Sequence, residues 1–82
     1  MAVKAYILIV TDPLQTREVY AALRQIPQIS DVSEVMGPYD IVAEITVKDL
    51  SEIPAILSGQ IRRLPGVEST TSLVTFPTPP QE

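Results

Sequence analysis

Apolar residues recur with two different periods along this chain, and the periods separate predicted strands from predicted helices. Residues 5–10 form an unbroken apolar run rich in β-branched side chains, which predicts a strand over Val3–Thr11. Because the run does not alternate apolar with polar positions, both faces of this strand should be covered. Residues 29–36 alternate only partly and predict an edge strand, Ile41–Val47 predicts a second buried strand, and residues 67–76 predict the last strand.

Two further stretches have helical spacing. The first follows Asp12-Pro13, where Asp is a good N-cap and Pro suits the first helical position, and Pro27 ends it. For the second we expect Ser51 as N-cap, because a cap at Asp49 would place Pro54 deeper and cost a hydrogen bond. The apolar stripes are Val19, Ala22, Leu23 and Ile26 in the first helix, and Ile53, Ile56, Leu57, Ile61 and Leu64 in the second.

The element order is therefore β-α-β-β-α-β. Right-handed crossovers place the first and third strands side by side in the centre of an antiparallel sheet, with both helices on one face. This predicts a ferredoxin-like α+β fold over residues 1–76, followed by a Pro-rich tail at residues 77–82. The other face of the sheet would expose a large apolar patch, and a second subunit is the simplest cover.

Composition narrows the chemistry. The 82 residues contain neither Cys nor His, which excludes disulfides, thiolate or imidazole metal sites and His-based catalysis, so no metal or cofactor is expected. A small domain without these devices commonly gains burial by oligomerising. The net charge is −4 and the basic residues are scattered, so direct nucleic-acid binding is not expected. No apolar run approaches a membrane span, and we expect a cytoplasmic protein.

Two segments carry candidate binding groups. The predicted hairpin Gly37-Pro38-Tyr39-Asp40 offers close backbone approach at Gly37, and Asp40 could accept an ammonium group or hold the turn through its own backbone. Gly, Pro and Asp are also ordinary turn residues, so a purely structural hairpin stays open. Asp40 and Glu44 would lie about 13 Å apart along one strand, too far for a catalytic carboxylate pair.

The last predicted strand holds four consecutive hydroxyl residues, Ser69 to Ser72. Thr70 and Ser72 share one face of the strand, and hydroxyls can anchor a carboxylate or an amine. The alternative is an edge strand whose Thr side chains are solvated, since Thr favours β structure in any case.

Together these residues resemble the effector-binding (RAM) domain of the Lrp/AsnC family. Met36-Gly37-Pro38-Tyr39-Asp40 matches its Gly-x-Tyr-Asp hairpin, and the segment from Leu64 to Ser72 resembles its Pro-Gly-Val-x-x-Thr-x-Ser/Thr segment. Pro27-Gln28-Ile29 to Val32 resembles its helix-to-strand break. The similarity spans roughly residues 3–76, and it implies a stand-alone form without the family's DNA-binding helix-turn-helix.

The resemblance implies a non-catalytic sensing and oligomerisation module of a transcriptional-regulator family. Its dimers would pair sheet to sheet and assemble into an octamer- or decamer-like ring, and the chain would pair with full-length relatives. The expected effector is an amino acid or a similar small molecule, held where dimers meet. The implied ligand-facing residues are Met36, Gly37, Tyr39, Asp40, Thr70 and Ser72.

Two other functions fit the same topology. One is a small dimeric α+β-barrel enzyme of the monooxygenase or isomerase type, against which the lack of His and of a carboxylate pair counts. The other is a purely structural assembly domain, in which the hairpin has no ligand.

Overall fold

Regular structure follows the predicted order. A computed structural model describes residues 2–76, so the predicted tail at residues 77–82 lies outside the described residues. The elements are β1 (Val3–Thr11), α1 (Thr16–Leu23), β2 (Ile29–Glu34), β3 (Ile41–Val47), a 3-10 turn (Leu50–Glu52), α2 (Ile53–Ile56), a π-helical turn (Leu57–Ile61) and β4 (Val67–Val74).

The four strands form one antiparallel sheet in the order β2-β3-β1-β4. The two most apolar strands, β1 and β3, occupy the centre, as the crossover rule predicts. The element order and the strand order together confirm the predicted ferredoxin-like α+β fold.

The hydrophobic core lies between the sheet and the helices. Alternate residues of β1 and β3 point to this side, and α1, α2 and the π-helical turn supply the opposing side chains. The fully or nearly buried members are Ala5, Ile7, Ile9, Val19, Leu23, Ile26, Ile41, Ala43, Ile45, Val47, Ile53, Ile56 and Ile61. Both helices therefore cover the same face of the sheet.

The other face, which we call the open face, is also apolar at its centre. Tyr6, Leu8 and Val10 of β1 point to this side together with Val42 of β3, and all four are half-buried by their neighbours. Leu73 of β4 lies opposite Tyr6 and remains 53% exposed. The prediction that β1 is apolar on both faces is confirmed, whereas the helices cover only one of them.

The Asp12-Pro13 signal predicts a helix that begins at Pro13, but the first helix begins three residues later, at Thr16. The Asp12 carboxylate accepts a hydrogen bond from the Leu14 N–H (3.0 Å), and its carbonyl accepts one from the Gln15 N–H (2.8 Å). These bonds close a turn, and the Asp12 N–H is held by the Gly66 carbonyl at 2.9 Å. Asp12 is thus tied to the start of β4, and the helix proper follows the turn.

The second helical segment is capped by Asp49, so the predicted Ser51 cap is wrong. The Asp49 carboxylate accepts the Ser51 N–H (3.1 Å), and the Glu52 carboxylate accepts the Asp49 N–H (2.9 Å), which is a capping box. The cost expected for Pro54 is reduced because the first turn is 3-10, and α2 begins only at Ile53 with Pro54 in its first positions.

A π-helical turn follows α2. The Arg62 N–H donates to the Leu57 carbonyl at 2.8 Å, five residues back. Ile56 and Ile61 are both buried, and this spacing of five exceeds the 3.6 residues of an α-helical turn. The wider turn accommodates the extra residue and brings Ile61 into the core. Within residues 2–76 no helix is long and apolar enough to cross a membrane.

Gly66, at the entry to β4, is required by its surroundings. Its φ is +97°, a conformation that side chains other than glycine rarely adopt. A Cβ at this position would lie 2.7 Å from the Cβ of Gln15 and 3.0 Å from Cγ2 of Val19. The close approach of this loop to α1 therefore depends on glycine.

We expect Gly66→Ala to lower the free energy of unfolding by about 2 kcal/mol, because it adds backbone strain and a steric clash. Gly59→Ala is the matched control, since a Cβ there meets nothing within 4 Å. It should be neutral or stabilise by up to about 1 kcal/mol through helix propensity. Urea unfolding of the three proteins measures both values, and equal effects of the two substitutions would contradict the assignment.

Candidate functional site

The predicted hairpin joins β2 to β3 and projects from the end of the sheet. The Val35 N–H donates to the Asp40 carbonyl at 3.0 Å, which closes the loop. Met36 is fully exposed, and Gly37 has a φ of +134° with open space where a Cβ would be. The loop therefore presents polar backbone together with the exposed Val35 and Met36 side chains to whatever approaches it.

Asp40 fastens this hairpin to the central strand. Its Oδ2 accepts the Thr11 N–H at 2.8 Å, and its own N–H donates to the Ile9 carbonyl at 2.9 Å. The first bond spans 29 residues of sequence and occupies one carboxylate oxygen. The Asp40 side chain thus holds the hairpin by bonding β1, and not by bonding the backbone of its own turn.

Thr70 and Ser72 lie on the other side of the central strand. They pair with Ile9 and Ile7 of β1, whose side chains are in the core, so both hydroxyl residues point to the helix-covered side. Thr70 is half-buried and Ser72 is exposed. Asp40 and Thr70 both flank Ile9, about 10 Å apart at two strand spacings.

The predicted site residues thus converge only in part. Asp40 and Thr70 meet the same stretch of β1, whereas Met36 lies at the tip of the loop and Ser72 one pair further along β4. In the described part of the chain, no side-chain hydrogen bond links the hairpin to β4. The end of β1 lies between the hairpin and β4.

Sequence reasoning missed Thr11, which is the buried polar residue at this position. Its hydroxyl lies 2.7 Å from the Thr16 hydroxyl, which also donates to the Asp12 carbonyl at 3.3 Å. The network connects the hairpin, through Asp40, to the start of α1. The signal was available in the alternation of β1, where Thr11 takes an inward position otherwise held by apolar residues.

Glu44 interrupts the apolar open face with a charge. Its carboxylate accepts the Ser30 hydroxyl at 3.0 Å and lies 3.6 Å from the Lys4 ammonium. The hydroxyls of Ser30 and Tyr6, together with Lys4, hold the pKa of the Glu44 carboxyl below its usual value, against the opposing effect of burial. Glu44 is therefore committed to this face and forms no pair with Asp40.

Comparison with known proteins gives a consistent result. The sequence model of the Lrp/AsnC ligand binding domain matches residues 4–82. An uncharacterized HTH-type transcriptional regulator of Pyrococcus abyssi is 32% identical over 72 residues, which are 87% of this chain and 46% of that protein. The chain thus spans about half the length of the curated regulators it matches.

A shorter match comes from homocitrate synthase of Sulfurisphaera tokodaii. The two proteins are 42% identical over 60 residues, which are 72% of this chain and 13% of the enzyme. The similarity is confined to a small part of that protein.

Solved structures agree on the fold. The crystal structure of TTHA0845 from Thermus thermophilus has a TM-score of 0.90 at 33% identity, and the match covers 96% of this chain and 99% of that one. The regulator NMB0573 from Neisseria meningitidis, solved as an L-Met complex, has a TM-score of 0.82 at 17% identity and supports the fold alone. That match covers 92% of this chain and 50% of that one. With a matching family model over residues 4–82, this chain belongs to the Lrp/AsnC ligand-binding domain family.

Proposed function

We propose that this chain is a non-catalytic regulatory module that binds an amino acid or a similar small effector and couples binding to self-association. The observation that carries the proposal is the apolar open face of the sheet beside a hairpin that is fastened to the central strand. The open face would mediate self-association, and the hairpin would contribute polar binding groups next to β1.

Self-association is supported by the open face. Leu8 lies at its centre between Val42 of β3 and Thr71 of β4. Burying such apolar side chains stabilises an interface by about 25 cal/mol per Å². Glu44 does not prevent this pairing, because Ser30 and Lys4 already satisfy its carboxylate within one chain.

Effector binding is supported by the groups around the end of β1. The Gly37 backbone is open to close approach, and the Thr70 hydroxyl is half-buried next to β1. We assign the effector carboxylate to the Gly37 backbone and the α-ammonium to the second oxygen of Asp40. Thr70 and Ser72 lie two strand spacings away in the same chain, so we assign them to an effector held where dimers meet. Met36 and Tyr39 would border the effector side chain.

Other expectations from the family resemblance remain predictions. They are the octamer- or decamer-like ring, pairing with full-length regulators and a cytoplasmic location. The α+β-barrel enzyme is disfavoured by the commitment of Asp40 to Thr11 and of Glu44 to Ser30, which leaves no acid–base pair at the hairpin.

Leu8→Glu should reduce the sedimenting mass of the protein by half, because it places an unpaired charge at the centre of the open face. Leu14→Glu is the matched control, since Leu14 is 88% exposed and lies outside the sheet. Sedimentation velocity measures the mass, and circular dichroism verifies folding. A monomeric native protein at tens of micromolar, or an unchanged mass for Leu8→Glu, would refute pairing through this face.

Substitutions at Asp40 and Thr70 should have different effects, the first mainly on stability and the second on effector binding. Asp40→Ala should lower the free energy of unfolding by about 1–2 kcal/mol, because it leaves the Thr11 N–H without its acceptor. Thr70→Val keeps the shape of the side chain and should weaken binding of the preferred amino acid about tenfold, the value of one hydrogen bond. Ser58→Ala controls for loss of an exposed hydroxyl. Calorimetric titration with the standard amino acids that shows no binding to the native protein would reject the sensing role.

A second candidate function is regulation of an enzyme by docking to it, and the match to a segment of homocitrate synthase favours it. If so, adding this protein to the S. tokodaii enzyme from which the matched segment has been deleted should change its activity or its response to amino acids. Leu8→Glu serves as the control, and an activity that is indifferent to the added protein would dismiss this candidate.

A further inference from the structure

Helix α1 and strand β2 flank a cleft at the edge of the sheet, on the helix-covered side. The cleft is a cavity of about 340 Å³ lined by Tyr20, Arg24, Ile29, Ser30, Asp31 and Val32. A second cavity of about 310 Å³ lies against the outer surface of α1 and shares Tyr20 and Arg24 as lining residues. A cavity of this volume is large enough to hold a small organic molecule.

One wall of the cleft is apolar. Val32 pairs with Ala43 of β3, and the Ala43 side chain is in the core. Ile29 pairs in the same way with Ile45, so both β2 side chains point to the helix-covered side. Val32, Ile29 and Tyr20 are half-buried and pack against the core. Their remaining surface can contact the apolar body of a ligand.

Arg24 supplies the positive charge of the cleft. The Arg24 side chain is exposed, and its guanidinium lies over the Tyr20 ring, 5.9 Å from the centroid. In the part of the chain that the structure describes, no carboxylate oxygen lies within 4.0 Å of this guanidinium. A guanidinium presents its N–H donors in a planar fork that matches a carboxylate, so Arg24 can bind one through two hydrogen bonds.

The two acidic residues of β2 do not face Arg24. Asp31 pairs with Glu44, whose carboxylate is on the open face, so the Asp31 side chain points to that face as well. Glu34 is at the far end of β2, where its Oε2 lies 4.0 Å from Nε of Arg17. An ammonium group bound in the cleft would therefore lie beside a cation, without an acid to offset the repulsion.

We infer that this cleft binds a monocarboxylate that has an apolar body and no amino group, such as an aryl-substituted short-chain acid. Its carboxylate bonds the Arg24 guanidinium, and its body packs on the apolar wall formed by β2 and Tyr20. A dianion such as phosphate is disfavoured, because the cleft offers one base and the chain carries a net charge of −4. An amino acid is disfavoured by its ammonium group.

The cleft is distinct from the candidate site at the hairpin. The hairpin follows the end of β2, whereas the cleft extends to Ile29 at its start, about 17 Å away along the strand. All of the lining residues belong to one chain, so the cleft does not require a second copy. The inference therefore does not rest on the proposed sensing function.

Methyl NMR of the native protein tests the site, with 3-phenylpropanoate as the probe. Ile29 lines the cleft and Met36 is exposed at the hairpin, so their methyl signals report on the two places separately. The probe should shift the Ile29 signals and leave Met36 unchanged. L-phenylalanine differs from the probe only by its ammonium group, and 3-phenylpropanamide lacks the charge. Each should bind the cleft about tenfold more weakly, or less tightly still.

Substitutions at Arg24 assign the binding to its guanidinium. Arg24→Gln should weaken binding of the probe about tenfold or more, because it removes a charged hydrogen-bond donor. Arg24→Lys should restore only part of the affinity, since an ammonium lacks the planar fork. Arg63→Gln, a change at an exposed base outside the cleft, is the matched control and should bind like the native protein. The other isoleucine methyl signals verify that each variant is folded.

Three results would overturn the inference. They are an Ile29 signal that does not respond to millimolar 3-phenylpropanoate, an Arg24→Gln variant that binds the probe as tightly as the native protein, and equal affinity for the probe and its amide. A shift of Met36 alone would place the probe at the hairpin and would equally reject the cleft. Loss of amino-acid binding at Met36 would count against the proposed sensing function and leave the Ile29 result standing.

Discussion

The structure depends on a central strand that is apolar on both sides. Ile7 and Ile9 of β1 are completely buried under the helices, whereas Leu8 and Val10, which point the other way, are only half-buried. An 82-residue chain with two short helices can cover one face of a sheet and not both. The uncovered apolar face is therefore a direct consequence of placing this strand in the centre, and the proposed self-association depends on it.

The same strand organises the candidate site. The apolar run of β1 ends at Thr11. The Thr11 N–H donates to Asp40 of the hairpin, and the Thr11 hydroxyl bonds the Thr16 hydroxyl at the start of α1. The Asp12 N–H then bonds the Gly66 carbonyl at the entry to β4. A group bound near the hairpin is thus separated from the open face by a single strand held at its end by short hydrogen bonds. Any coupling between effector and assembly has a short physical route, because Asp40 is hydrogen-bonded directly to Thr11 and Ile9 of β1.

The periodicity of apolar residues predicts the topology. It does not predict the helix starts or the hydrogen bonds that join residues distant in sequence. The apolar runs and the crossover rule were sufficient to place β1 and β3 in the centre. The two helix starts show the limit, since Asp12 and Asp49 are both good caps and each has a capping-box residue three positions later, Gln15 and Glu52. Only Asp49 and Glu52 form the box. Asp12 is instead drawn into the turn by Gly66, 54 positions away. The bond from Asp40 to Thr11 likewise joins residues that no local pattern associates.

The self-association proposed for this chain has a defined physical basis. Pairing through the open face would gain mainly from apolar burial, which salt does not screen. On this face the Glu44 carboxylate lies 3.6 Å from the Lys4 ammonium of its own chain, so these two charges offset each other. With a net charge of −4 on each chain, copies repel one another at low salt, so apolar burial on the open face has to outweigh this repulsion. The proposed pairing therefore depends on the apolar area of the open face and not on its charges.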